Sequence, residues 1–343
     1  MKAIILDQPQ HFRLADVDLP PQPGQDEALV RILRVGICGT DLHAFEGKQP
    51  FFTYPRILGH ELAVEVIALG DSTYDHGIKV GDHCAVEPYL NCGTCLSCRR
   101  GRPNCCINMR VLGVHQDGGM RESLIVPVRK LHRANGLSLE ALAIVEMFSI
   151  GAHAVNRAHL DEGENVLVIG AGPIGMGTMQ FAKIMGAKVI AMDVNPDRLA
   201  FCSQHVGVSG VVDARQDAEG QLRGLLNGDL PTAVFDATGN IRSMNNAFNY
   251  VAHSGSLVYV GLMQDNITFN DPLFHSREMT LFASRNAMPS DFTWVIDSIA
   301  SGKVDVSAWV THRATPEELV VNFPSWLLPS TGVIKAMLNF ESA

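Results

Sequence analysis

The stretch from Glu164 to Asp193 limits what this chain can fold into more than any other. Val166-Leu167-Val168-Ile169 is a short β-branched run, Gly170-Ala171-Gly172-Pro173-Ile174-Gly175 follows at once, and Met176 to Met185 has helical apolar spacing before Lys188-Val189-Ile190-Ala191-Met192-Asp193. The order strand, glycine turn, helix, strand is a βαβ unit with G-x-G-x-x-G in its first turn. Gly170 permits the tight turn, Gly172 lets a pyrophosphate approach the backbone, and Gly175 allows close packing of helix on sheet. Pro173 and Ile174 open the helix, whose N-terminus offers free N–H groups and a positive dipole end to the phosphates. Asp193 ends the second strand, where its carboxylate can accept from both hydroxyls of an adenosine ribose and would repel a 2′-phosphate. NAD is therefore the expected cofactor, with Arg198 contacting the same ribose from the next helix.

A chain of 343 residues is long for one core, so two domains are expected. Its net charge of −9, with no basic run, argues against nucleic acid. The N-terminus Met1-Lys2-Ala3-Ile4-Ile5-Leu6-Asp7 is strand-like and soon meets charge, unlike a signal peptide. The apolar stretch Leu139 to Val155 is broken by Glu146 and His153, which argues against a membrane span. A cytoplasmic location is expected, and with it reduced thiols: cysteines crowded between Cys92 and Cys106 then suit metal ligation better than disulfides.

Residues 1 to about 35 have the texture of an irregular antiparallel β domain. Cys38 follows in Gly36-Ile37-Cys38-Gly39-Thr40-Asp41-Leu42-His43, then His60 and Glu61 in Gly59-His60-Glu61. Each is a zinc ligand type on its own. Beside them Thr40 can relay a substrate hydroxyl proton, His43 can pass it towards water, and Asp41 can orient a ligating imidazole. Cys92, Cys95, Cys98 and Cys106 form C-x2-C-x2-C-x7-C, a closed four-thiolate set expected to hold a structural zinc, with Cys105 a competing fourth ligand. Cys84 and Cys202 lack ligand spacing and are read as buried thiols. Glu146, an acid within Ala143-Ile144-Val145-Glu146-Met147-Phe148, needs a partner, and the catalytic metal is the expected one. His115 stands where it either reaches substrate or makes a structural hydrogen bond. Beyond Asp193, strand runs at Val206 to Asp213, Ala233 to Gly239 and Gly255 to Leu262 complete a doubly wound sheet, and a strand from Gly332 to Phe340 should return to the first domain.

Together, the Gly36 to His43 motif, Gly59-His60-Glu61, the four-cysteine lobe, Glu146 and the glycine turn resemble the zinc-dependent medium-chain alcohol and polyol dehydrogenases over essentially the whole chain. That resemblance implies a GroES-like, mainly antiparallel β catalytic domain (1–148 and 286–343, zinc lobe about 88–110) interrupted by a Rossmann NAD-binding domain (149–285). It implies an interdomain cleft, dimers or tetramers, two zincs per chain, and hydride transfer between an alcohol and nicotinamide at a zinc site. Cys38, His60 and Glu146 are the expected catalytic ligands, with Glu61 adjacent. Met147 departs from the polyol branch, where proline usually follows the glutamate. Gln49-Pro50-Phe51-Phe52, Gly113 to Gly119 and Ser284-Arg285-Asn286-Ala287 look most like the branch acting on L-galactonate or L-gulonate, with sorbitol and threonine dehydrogenases as alternatives. Arg285, His115 and Glu146 are the candidate substrate contacts; Arg285 either grips a carboxylate or bridges domains or cofactor. A non-catalytic nucleotide-binding sensor would lack Cys38, His60 or the relay, and a zinc-free quinone reductase would lack both metal motifs.

Overall fold

The computed structural model describes residues 1–49 and 52–340, so Pro50 and Phe51 of the loop singled out above lie outside the described residues. The chain divides into two compact units, Met1–Glu146 with Met288–Ala343, and Met147–Ala287.

The first unit opens with β1 (Lys2–Gln8), β2 (His11–Asp16), β3 (Glu27–Ile37), β4 (Arg56–Ile57) and β5 (Glu61–Leu69). It continues through β6 (His83–Val86), β7 (Tyr89–Leu90), β8 (Arg110–Val111), β9 (Ser123–Pro127) and β10 (Leu131–Arg133). The helix Gly39–Phe45 follows directly from β3. In β3, Ala28, Val30, Ile32 and Val35 are buried, and this long strand is the spine of the larger sheet. Each of the valine and isoleucine side chains contributes about 1.5–3 kcal/mol when fully buried.

The second unit contains β11 (Asn165–Ile169), β12 (Lys188–Asp193), β13 (Gly210–Asp213), β14 (Ala233–Asp236), β15 (Ser256–Tyr259) and β16 (Thr280–Ala283). They form an all-parallel sheet of order β13-β12-β11-β14-β15-β16. Strand order reverses between β11 and β14, the switch point of a Rossmann fold, and the glycine turn leaves β11 there. The central strands β11, β12, β14 and β15 are short, largely buried apolar runs, as expected of a parallel sheet covered on both faces, whereas the edge strand β16 is mostly exposed.

The chain then returns to the first unit through the helices Pro289–Ala300 and Pro316–Trp326, β17 (Val310–Ala314) and β18 (Lys335–Asn339). The sheet there runs β10-β6-β5-β3-β18-β17, so residues from the C-terminal end of the chain pair with β3. β17 was not expected from the sequence, because Thr311, His312 and Arg313 make its middle polar. It pairs parallel to β18.

Candidate active site and metal centres

The four-cysteine set sits in a loop closed by a short stem, in which Tyr89 and Leu90 of β7 pair with Val111 and Arg110 of β8. Cys92, Cys95, Cys98 and Cys106 present their sulfurs within 4.8 Å of one another. Sulfur separations are 3.5 Å for Cys95–Cys98, 3.8 Å for Cys95–Cys106 and 3.5 Å for Cys92–Cys106. Tetrahedral zinc with Zn–S near 2.3 Å calls for roughly 3.8 Å between sulfurs, so the set fits that ion. Cys105 is exposed and outside the cluster, whereas Cys106 faces the other three and is buried. Hydrogen bonds from the Thr94 backbone and hydroxyl, and from the Cys95 N–H, bring the Cys92 thiol down to about 5. Burial instead pushes Cys106 up to about 11.

A second cluster gathers Cys38, His60 and Glu61, again within 4.8 Å of one another. Cys38 is the N-cap of the helix Gly39–Phe45, and His60 and Glu61 stand at the start of β5. Asp41 serves both structure and site. Its Oδ2 accepts from the Cys38 N–H at 2.9 Å, capping the helix, while Oδ1 lies 3.7 Å from Nδ1 of His60. Thr40 and His43 are three residues apart on this helix and share a face, with Thr40 half-buried and His43 exposed.

Glu61 is the residue whose surroundings the sequence least reveals. In register it stands opposite Gly36 of β3, which in turn neighbours β18. A Cβ on Gly36 would come within 2.1 Å of Glu61 Oε2, so the absent side chain is what lets the carboxylate lie across β3. On the far side it meets Lys335, whose Nζ donates to both Glu61 oxygens at 2.7 and 2.8 Å and to the Ile37 carbonyl at 3.0 Å. Lys335 is only 2% exposed, yet Glu61 and Cys38 raise its pKa despite burial, so it stays charged.

Glu146 lies in the first turn of the helix Val145–Ala158 and accepts at Oε1 from the phenol of Tyr89. Burial pushes its carboxyl up to about 7, with Glu61 adding and His60 opposing. Burial likewise raises Asp41. Four acidic groups, Cys38, Asp41, Glu61 and Glu146, thus share a buried region with His60 and Lys335. Cys38, His60 and Glu61, with their ligand atoms within 4.8 Å of one another, are a donor set that a divalent cation fits, while buried Nδ1 of His60 and Oδ1 of Asp41, which make no hydrogen bond, face each other at 3.7 Å.

In the second unit the helix Pro173–Ile184 starts at Gly172 with no side chain capping it. A Cβ on Gly172 would meet only an Arg198 nitrogen, at 3.7 Å, so the turn is open for a diphosphate to approach. Gly170 has φ +98°, and a Cβ on Gly175 would lie 1.7 Å from the Gly170 carbonyl oxygen. The close approach at Gly175 is therefore to the turn itself more than to the sheet. Asp193 closes the same turn: its carboxylate accepts from the N–H of Ala171 at 2.6 Å and of Asn195 at 2.8 Å. Arg198 donates to the Ala171 carbonyl at 3.0 Å. Both candidate ribose residues are thus fixed beside the open glycine turn, an arrangement that fits a dinucleotide.

Residues 173–301 match the zinc-binding dehydrogenase family, and residues 24–136 match the alcohol dehydrogenase GroES-like domain. The chain is 42% identical over 340 residues to the L-galactonate-5-dehydrogenase of Escherichia coli (strain K12), covering 99% of each. It belongs to the zinc-dependent medium-chain alcohol dehydrogenase family. The sorbitol dehydrogenase of Bacillus subtilis (strain 168) is 31% identical, covering 93% of this chain and 91% of the relative. Among solved structures, the rspB alcohol dehydrogenase of E. coli CFT073, complexed with NADH, superposes with a TM-score of 0.92 at 27% identity, covering 99% of each chain.

This dehydrogenase is thus a zinc-binding, NAD-dependent oxidoreductase with GroES-like and Rossmann domains. None of its helices is long and apolar enough to cross a membrane, among the described residues. His115 is exposed, and its Nδ1 accepts from the Val111 N–H at 3.1 Å, the structural bond considered from the sequence. Arg285 follows β16 and is exposed. Sequence reasoning missed Tyr89 and Lys335. Tyr89 carries no motif signal, although Lys335 was a lysine inside an otherwise apolar run, the same signal that singled out Glu146.

Proposed function

We propose that this dehydrogenase oxidises a secondary alcohol of a sugar acid, L-galactonate or L-gulonate at C5, to the ketone with NAD as acceptor. The observation that carries this reading is the 42% identity over 99% of the chain to an L-galactonate-5-dehydrogenase, joined to a buried cluster suited to a catalytic cation. Cys38, His60 and Glu146 would hold the catalytic zinc with Glu61 adjacent, and the bound ion supplies Lewis acidity toward the substrate hydroxyl. Cys92, Cys95, Cys98 and Cys106 would hold the structural zinc.

Around that centre the protein's own groups do the rest. Thr40 relays the hydroxyl proton, receiving it on its oxygen as its own hydroxyl proton passes on, and His43, on the same helix face, delivers a proton to water. Asp41 holds the His60 ring in orientation. The open N-terminus at Gly172, Pro173 and Ile174 receives the pyrophosphate, and Asp193 with Arg198 receives the adenosine ribose. Asp193→Ser should therefore raise activity with NADP relative to NAD.

Arg285 is the proposed partner of the substrate carboxylate, since a molecule of net charge −9 offers an anion no general attraction. The test is NAD reduction with L-galactonate, L-gulonate, sorbitol and threonine. Arg285→Ala should lower kcat/KM for the aldonate by about tenfold or more, consistent with roughly 1.5–3 kcal/mol for a charged hydrogen bond, and spare sorbitol. Equal losses on both substrates would reject the carboxylate role, and a faster wild-type reaction with sorbitol would favour a polyol substrate, in line with the sorbitol dehydrogenase relative. The protein is also proposed to act in the cytoplasm as a homodimer or homotetramer. The edge strand β16, with Leu281 exposed, supports association and is checked by sedimentation.

A further inference from the structure

Tyr89 belongs to the stem of the cysteine lobe, yet its phenol donates to Glu146, which lies outside the Cys38, His60 and Glu61 group but interacts electrostatically with His60. It is 3% exposed, and its ring meets Phe292 edge-on, with centroids 6.4 Å apart. On its N-terminal side Glu87 is ion-paired with the buried Lys130, and on its C-terminal side Asn91 is gripped by Arg129. The Arg129 bonds, 2.8 Å to Asn91 Oδ1 and 3.1 Å to its carbonyl, fix the residue whose amide faces Cys98 Sγ at 3.7 Å. Two adjacent residues of one segment, Arg129 and Lys130, therefore hold the chain on either side of Tyr89.

We propose that Tyr89 is a positioning residue for the metal cluster: its O–H fixes the Glu146 carboxylate, and the stem of the four-cysteine lobe holds Tyr89 in place to do so. This rests on the reading of Cys38, His60 and Glu146 as one metal site. Partners that orient ligands typically change metal affinity or activity by about 10- to 100-fold when lost.

The test uses holoenzyme with cobalt(II) at the Cys38 cluster and zinc in the lobe. Visible absorption and the rate of cobalt release to a chelator are followed in wild type, Tyr89→Phe, Glu146→Gln and the double variant. Phenylalanine keeps the ring against Phe292 and removes only the hydroxyl. Tyr89→Phe should release cobalt about 10- to 100-fold faster with an altered spectrum, and should add nothing to Glu146→Gln. Asn91→Ala, which loosens the stem without touching Glu146, should speed release in the same direction. Wild-type release and spectrum in Tyr89→Phe, with Glu146→Gln altered, would overturn the positioning role while leaving Glu146 at the metal. An unchanged Glu146→Gln would remove Glu146 from the metal site, and the proposal with it. Additive effects in the double variant would also overturn it, and unchanged release in Asn91→Ala would overturn the part assigned to the stem.

Discussion

Cys92, Cys95, Cys98 and Cys106 come from one short loop between β7 and β8, whereas the other cluster joins Cys38 at a helix cap, His60 just before β5, Glu61 at its start, and Lys335, 274 positions from Glu61. The lobe controls its thiols with neighbours in sequence, Thr94 and the N–H of Cys95. The buried cluster is controlled by charges brought from distant strands. A local loop can be a self-contained clamp whose metal energy is folding energy. A site assembled across a sheet inherits its geometry from the fold, so a ligand can be lost there with the fold intact.

The largest expected effects test that division directly. Cys38→Ser should abolish turnover, exceeding the roughly 10- to 100-fold loss typical of residues that merely support a ligand. Thermal unfolding should change little. Cys95→Ser should do the converse, lowering the unfolding temperature and releasing the lobe metal first. Metal analysis should find two zincs in the freshly purified wild type, and loss of one in each variant. Equal loss of stability in both variants would break the contrast.

Next in size is the ion pair that crosses β3. Gly36→Ala would place a methyl within 2.1 Å of Glu61 Oε2 and drive the carboxylate off Lys335. Breaking a buried pair from one side costs about 3–5 kcal/mol, readable in urea unfolding. Lys335→Met should cost a similar amount, and adding Glu61→Gln should recover part of it, because no uncompensated charge then remains buried. A Lys335→Met protein as stable as wild type would show that the pair does not hold this cluster together.

What could be read from the sequence follows the same line. The glycine turn, the cysteine spacing and Asp193 are local patterns, and the structure brings each set together as β11, its helix, β12 and a four-sulfur cluster. The sequence offered Asp41 as an orienting group for an imidazole, but its use as a helix cap could not be read there. The choice between Cys105 and Cys106 needed the fold, since spacing admits both and only facing decides. Tyr89 was illegible because its partner Glu146 lies on another element; Lys335 stood out as a lysine in an apolar run, but its partner Glu61 could not be read, since a register such as Gly36 opposite Glu61 is a property of the assembled sheet.

The smallest expected effect is a displacement in pH, and it separates the two clusters by sign. In metal-free protein the Cys92 thiol lies at about 5 rather than 9.0, so the stability it contributes is complete above 9.0 and is lost as pH falls through about 5. Glu146 is shifted the other way, from 4.5 to about 7, so its contribution is complete below 4.5 and is lost as pH rises through about 7. Between pH 5 and 7 the lobe therefore gains stability with rising pH while the buried cluster loses it. Thr94→Val removes the hydroxyl that lies 3.6 Å from Cys92 Sγ and leaves the backbone N–H groups in place. The Cys92 thiol should then move part of the way back toward 9.0, and the acid limb of lobe unfolding should shift to higher pH by a fraction of a unit. The alkaline decline set by Glu146 should not move. Hydrogen exchange resolved by segment, in metal-free protein across pH 4 to 8, measures both limbs at once. A Thr94→Val lobe with an unmoved acid limb would mean that the Thr94 hydroxyl does not set the Cys92 thiolate, leaving that to the backbone N–H groups and the Cys106 side chain.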